Sequence, residues 1–138
     1  MAATTSTPTY SATWMPRLLS VLRIVAGFMF MLHGTQKLFN FPAGEHGAAE
    51  LFSLMGLAGV LEALGGLLLI LGLFTRPVAF VMSGLMAVAY FMAHAPQAPL
   101  PIQNQGELAV LYCFVFLFLA VAGAGEWSLD AWRQRVTR

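Results

Sequence analysis

Four long apolar runs, at residues 16–39, 54–74, 78–94 and 107–124, dominate this chain. Each comes near the ~20 residues a helix needs to cross about 30 Å of hydrocarbon. Such runs leave little choice of fold. Amide groups in lipid have no water to bond, so each run must satisfy its own backbone as a helix; an open sheet would leave edges unpaired, and the runs lack the alternation of barrel strands. The predicted fold is all-α, an integral membrane four-helix bundle. Composition agrees, since 59% of the residues are hydrophobic and 9% charged, against about 25% charged in a typical soluble domain. The mean hydropathy is +0.76.

The breaks between runs have physical causes. Pro42, Gly44 and Gly47 interrupt the first connection, Thr75-Arg76-Pro77 predicts a tight second turn, and Pro96, Pro99 and Pro101 keep the third out of a helix. Residues 77–106 contain no Asp, Glu, Lys or Arg, so the third connection suits a membrane interface. Residues 1–15 predict a mobile polar tail. A secretory leader would need a small-residue cleavage site after its apolar core; here the run after Arg17 and Arg23 leads into His33, Gln36 and Lys37, which predicts a retained helix. Residues 126–138 read as a short amphipathic interfacial helix, with Trp127 and Trp132 toward lipid and Ser128 as its N-cap.

Four crossings would put Arg17, Arg76, Arg133, Arg135 and Arg138 on one side, opposite loops holding Glu45 and Glu50. Basic residues favour the cytoplasmic side, so both termini are predicted to be cytoplasmic in a bacterial inner membrane, with Trp14, Trp127 and Trp132 as an inner aromatic belt. The halves show no repeat of the transporter kind, because Glu62 lies well inside its run whereas Glu107 opens its own. A net charge of +1 without a basic face gives no footprint for nucleic acid. Cys113 is the only cysteine, which excludes a thiol relay within one chain and suits a small buried hydrophobe.

Arg23 and Glu62 stand inside apolar runs, where an ion is costly and usually partnered. At 100° per residue, Arg23, Gly27, Phe30, Gly34 and Lys37 share one band of helix 1, while Gly59, Glu62, Ala63 and Gly66 share a face of helix 2. The small residues invite close helix approach on those faces. Counting depth at ~1.5 Å per residue brings Arg23 and Glu62 to either side of the midplane and predicts an ion pair between them. Two roles stay open for it: interhelical glue, or a carboxylate that exchanges its partner for a proton.

A second polar group, His33, Lys37, His94, Asn104 and Glu107, is predicted to converge at the outer boundary. A quinone there would need donors on its carbonyls and an apolar slot, which His33 and His94 with Phe30, Tyr90 and Phe91 would supply, while Glu107 passed protons to the outer aqueous phase. Alternatively Lys37 snorkels to the interface and Glu107 caps helix 4. Two histidines at similar depth also suit a bis-His haem, but no His-x-x-x-His or Glu-x-x-His spacing accompanies them, so haem is disfavoured and no metal site is predicted. His46 reads as a solvated loop residue.

Four blocks carry a resemblance: His33-Gly34-x-x-Lys37-Leu38; Glu62-x-x-Gly65-Gly66 running into Gly72-Leu73-Phe74-Thr75-Arg76; Asn104-Gln105-Gly106-Glu107; and Gly123-x-Gly125-x-x-Ser128-Leu129-Asp130. In that order they resemble the DoxX family of bacterial and archaeal membrane proteins. The resemblance implies a four-helix inner-membrane protein with a link to redox physiology, as the membrane subunit of thiosulfate:quinone oxidoreductase and in membrane complexes with sulfurtransferase and superoxide dismutase. The third block departs from the family pattern at Gln105, where a second glycine is common.

The chain has no dinucleotide fingerprint and no cysteine cluster, so it is not expected to transfer electrons alone. The leading expectation is an inner-membrane subunit that anchors or completes a redox assembly and binds a quinone near its outer face, in contact with lipid and with other membrane or peripheral redox subunits. A purely structural accessory subunit and a small proton-coupled transporter, necessarily a homo-oligomer, are the alternatives.

Overall fold

The computed structural model describes residues 10–44 and 47–137. Residues 1–9 of the expected tail, loop residues Glu45 and His46, and Arg138 lie outside the described residues. The chain forms α1 (Tyr10–Phe39), α2 (Leu54–Leu71), α3 (Thr75–Ala89) continued by a π-helical turn (Tyr90–His94), α4 (Glu107–Ala122) and α5 (Leu129–Val136). There is no strand among the described residues.

Helix α1 starts at Tyr10, upstream of the expected start at Pro16, and takes in part of the expected tail. Aromatic contacts one turn apart explain the extension. The Tyr10 and Trp14 rings lie 5.9 Å apart, and the Arg17 guanidinium sits 5.7 Å from the Trp14 ring. Helix α2 has a cap at each end: Ser53 Oγ accepts the Gly56 amide at 3.0 Å, and Gly72, at φ 65°, closes the last turn with its amide on α2 carbonyls. That left-handed glycine ends α2 short of the expected residue 74. It also moves the second turn to residues 72–74, so Thr75, Arg76 and Pro77 open α3 instead of forming the turn. Asp130 fixes the new start, its carboxylate accepting the amides of Phe74 at 2.9 Å and Thr75 at 2.8 Å. Ser128 Oγ accepts the Ala131 amide at 3.1 Å, the N-cap expected for α5.

Helices α1 and α2 run antiparallel along two glycine pairs. A Cβ at Gly34 would overlap the Ala63 backbone, and one at Gly27 would meet Leu69 Cβ at 2.9 Å and Gly66 O at 3.0 Å. Small residues on both helices let the backbones touch, as their spacing predicts. Helices α3 and α4 form the second antiparallel pair, tied by Ser83 Oγ donating to the Cys113 carbonyl at 2.8 Å. Phe30 joins the pairs, its ring 4.8 Å from Phe116 and 5.5 Å from Tyr112 of α4. Around it Leu69, Ala79, Met82 and Leu119 complete the core. Large apolar side chains such as Phe28, Leu64, Phe80 and Phe114 point outward, the inverse of a soluble bundle.

Residues 10–39, 54–71 and 75–94 are long and apolar enough to cross a membrane. Helix α4 is also apolar but has 16 residues, about 24 Å of rise.

Candidate functional site

The intramembrane acid has a different partner from the one expected. Lys37 Nζ lies 2.5 Å from Glu62 Oε1, with the Glu62 side chain 2% exposed and that of Lys37 28% exposed. Arg23 is far from that carboxylate in register. Gly27 faces Gly66 and Leu69, and Gly34 faces Gly59 and Ala63, so Arg23 falls beside residues 69–70 of α2. Side-chain direction widens the gap, because helical side chains lean toward their own N-terminus. Arg23 therefore points toward the start of α1 and Glu62 toward the start of α2, which are opposite ends of an antiparallel pair. Lys37 leans back from the α1 terminus and meets Glu62.

Arg23 is fully buried and bonds to carbonyls instead. Its Nε donates to Ala124 O at 2.7 Å, Nη2 to Trp127 O at 2.5 Å, and Nη1 to Ile70 O at 2.8 Å and to Leu69 O. Leu69 and Ile70 belong to the last turn of α2, where carbonyls lack helical partners and a cation is favoured. One guanidinium thus ties the end of α2 to the segment joining α4 and α5. Ser20 supports the same junction, accepting the Trp127 amide at 3.0 Å.

The outer group divides into separate parts. His33 is exposed, edge-on to Tyr112 with centroids 6.3 Å apart. His94 stacks on Tyr90 at 6.3 Å, and its Nδ1 lies 3.0 Å from Asn104 O. The buried Asn104 amide donates to Ala98 O at 2.8 Å and to Tyr90 Oη at 3.4 Å and accepts the Gly106 amide at 2.9 Å. That network folds the third connection back on itself. Glu107 is exposed, bordering a shallow depression of about 560 Å³ with Ile102, Gln105 and Leu108; His33, Lys37, His94 and Asn104 do not line it.

The two histidines are not at one depth. His33 contacts α4 at Tyr112, whereas His94 contacts Asn104 ahead of the α4 start. Tyr112 lies five residues into α4, about 7.5 Å of helical rise, so the two rings are offset and share no contact partner. No group of three potential metal-ligating side chains gathers among the described residues.

Sequence reasoning missed Tyr112 and the reach of Lys37. Tyr112 Oη and Glu62 Oε2 are buried without hydrogen-bond partners. The Lys37 pairing was available from one signal, the matched seven-residue spacing of Gly27/Gly34 and Gly59/Gly66, which fixes an antiparallel register when the pairs are aligned.

The comparisons with known proteins agree with this helical membrane architecture. Residues 18–95 match the DoxX family. A Haemophilus influenzae protein described as uncharacterized is 50% identical over 121 residues, covering 83% of this chain and 90% of the relative. No solved structure matches the chain. The family match takes in His33, Lys37, Glu62 and His94 and more than half of the 138 residues, and this membrane protein belongs to the DoxX family.

Proposed function

We propose that this chain is an inner-membrane subunit of a redox assembly, crossing the bilayer four times with both termini cytoplasmic, and that it serves as a scaffold with no reaction of its own. One observation carries the scaffold reading: apart from the exposed His33 and Glu107, the polar side chains expected to do chemistry are engaged in holding the fold. Arg23 is bonded to four carbonyls, Glu62 to Lys37, and Asn104 and His94 to the third connection. The redox context comes from the family resemblance. The orientation is supported by Arg17, Arg76, Arg133 and Arg135, which line one groove at one end of the bundle. The exposed apolar helix faces would meet lipid or neighbouring subunits.

A quinone role is the second reading, favoured by exposed His33 beside Tyr112, whose buried hydroxyl has no partner. In that reading His33 polarises a quinone carbonyl, and His94, Asn104 and Glu107 stay outside the contact.

Native mass spectrometry after gentle extraction from the source membranes separates the two. A stoichiometric protein partner is expected. A lone chain or homo-oligomer retaining a quinone mass, lost in His33→Ala and kept in His94→Ala, would sink the scaffold reading and establish the second.

A further inference from the structure

A wide recess lies at the end opposite the expected ligand group. It is a groove of about 1360 Å³ between the start of α1, the start of α3, the end of α4 and α5. Arg17, Arg76, Arg133 and Arg135 line it together with the apolar Leu18, Leu22 and Phe118. The three apolar residues are 59%, 40% and 51% exposed, on helices whose outer faces suit lipid. Charge and hydrocarbon-facing surface therefore meet in one recess. The geometry points to a binding site for an anionic phospholipid, its phosphate among the arginines and its acyl chains along Leu18, Leu22 and Phe118.

The charge balance favours an anion. Two acids also line the groove, and both are engaged: Asp130 accepts the Phe74 and Thr75 amides, and Glu126 pairs with Arg17 at 3.3 Å. Arg76, Arg133 and Arg135 have no carboxylate partner among the described residues. Arg133 lies 5.1 Å from the Phe74 ring, which holds its stem against the groove wall and leaves its donors available. An independent sign comes from Thr75. This fully buried residue lines the groove, and its hydroxyl has no hydrogen-bond partner, a donor that a phosphate oxygen would satisfy. A basic pocket between membrane helices on the cytoplasmic side is a recognised setting for anionic headgroups. A lipid fits better than an acidic peptide because the wall below the arginines is lipid-facing hydrocarbon surface. The site is independent of any redox partner.

The test is native mass spectrometry of the full chain in detergent, titrated with phosphatidylglycerol or with phosphatidylethanolamine of identical acyl chains. The expected result is one retained phosphatidylglycerol, bound at least tenfold more tightly than phosphatidylethanolamine. Equal retention of the two lipids overturns the proposal, and this arm needs no variant. An arginine near a membrane surface is worth roughly a fivefold change in binding. The doubly substituted Arg76→Gln, Arg133→Gln chain should thus bind phosphatidylglycerol roughly 25-fold more weakly, and unchanged binding by that chain overturns the site. Soluble glycerol phosphate should not displace the lipid; displacement at matched concentration would make this a free-phosphate site and remove the lipid assignment. Displacement by an oligoglutamate peptide at matched concentration would likewise replace lipid with an acidic protein segment.

Discussion

The two ends of the bundle are stabilised in different ways. At the arginine-rich end, side chains bond to backbone far away in sequence: Arg23 reaches Leu69, Ile70, Ala124 and Trp127, Ser20 reaches Trp127, and Asp130 reaches Phe74 and Thr75. At the opposite end the bonds of Asn104 and His94 stay within the third connection and the turn before it, and the long-range ion pair is Lys37 with Glu62. One end is therefore tied across helices by side chains, whereas the other relies on packing, one ion pair and a self-contained connection. The tied end should open last and the other should tolerate more change.

Arg23→Ala should show the difference most strongly. It removes a buried donor set and strands the Ile70, Ala124 and Trp127 carbonyls at the junction of α2, α4 and α5, while Leu69 O keeps the Gly72 amide. A net loss of about 3–5 kcal/mol is expected from several stranded acceptors at ~1–3 kcal/mol each with partial relaxation. Reversible unfolding in mixed detergent micelles would measure it. Arg23→Lys should recover less than half, because an ammonium lacks the planar fork that reaches carbonyls on two sides. Full recovery by lysine would mean that charge alone is required.

The Lys37–Glu62 pair comes next. Glu62→Ala leaves the lysine near a buried apolar interface and should cost about 3 kcal/mol, and Lys37→Ala should cost a similar amount by leaving the 2% exposed carboxylate alone. The doubly substituted chain should lose clearly less than the sum, and a double-mutant cycle by the same unfolding assay gives the coupling. Additive losses would break the pair assignment and return Glu62 to the role of an independent proton-exchanging group. Adding Arg23→Ala to Glu62→Ala should be close to additive, since the two residues share no partner.

The all-helical architecture could be read from the four apolar runs because their length and lack of alternation admit little else. The close helix faces were legible from glycine spacing, and Ser128 from cap chemistry. The Arg23 bonds were not legible. Their acceptors are backbone carbonyls, which every residue carries, so no side-chain pattern marks Leu69, Ile70, Ala124 or Trp127. Pairing by depth alone failed because it treated side chains as perpendicular to the helix, whereas their lean separates Arg23 from Glu62 and brings Lys37 in. The offset of His33 from His94 was not legible for a related reason: the π-helical turn and third connection bring His94 to Asn104, ahead of the α4 start, and counting from span ends hides that offset.

Asp130→Asn gives a smaller effect at the tied end. An asparagine keeps one acceptor for two amides, so a loss of about 1 kcal/mol is expected, near the usual value of a helix cap. Faster amide hydrogen exchange should be confined to Phe74, Thr75 and the start of α3. Exchange spreading into α1 would show that the two junctions at this end are one cooperative unit.

Asn104→Ala should cost about 1 kcal/mol, since it strands the Ala98 carbonyl within one short connection while the Gly106 amide keeps the Pro101 carbonyl. His94→Ala should cost less, because its ring remains partly exposed and makes one hydrogen bond outside the membrane core. Hydrogen exchange should rise within residues 95–106 in both variants and leave α1 and α2 unchanged, because none of the bonds removed reaches those helices. Protection lost at Lys37 or Glu62 in the Asn104 variant would contradict that independence. It would mean that the connection and the buried ion pair share one opening event, and the less tied end would then be as cooperative as the end held by Arg23.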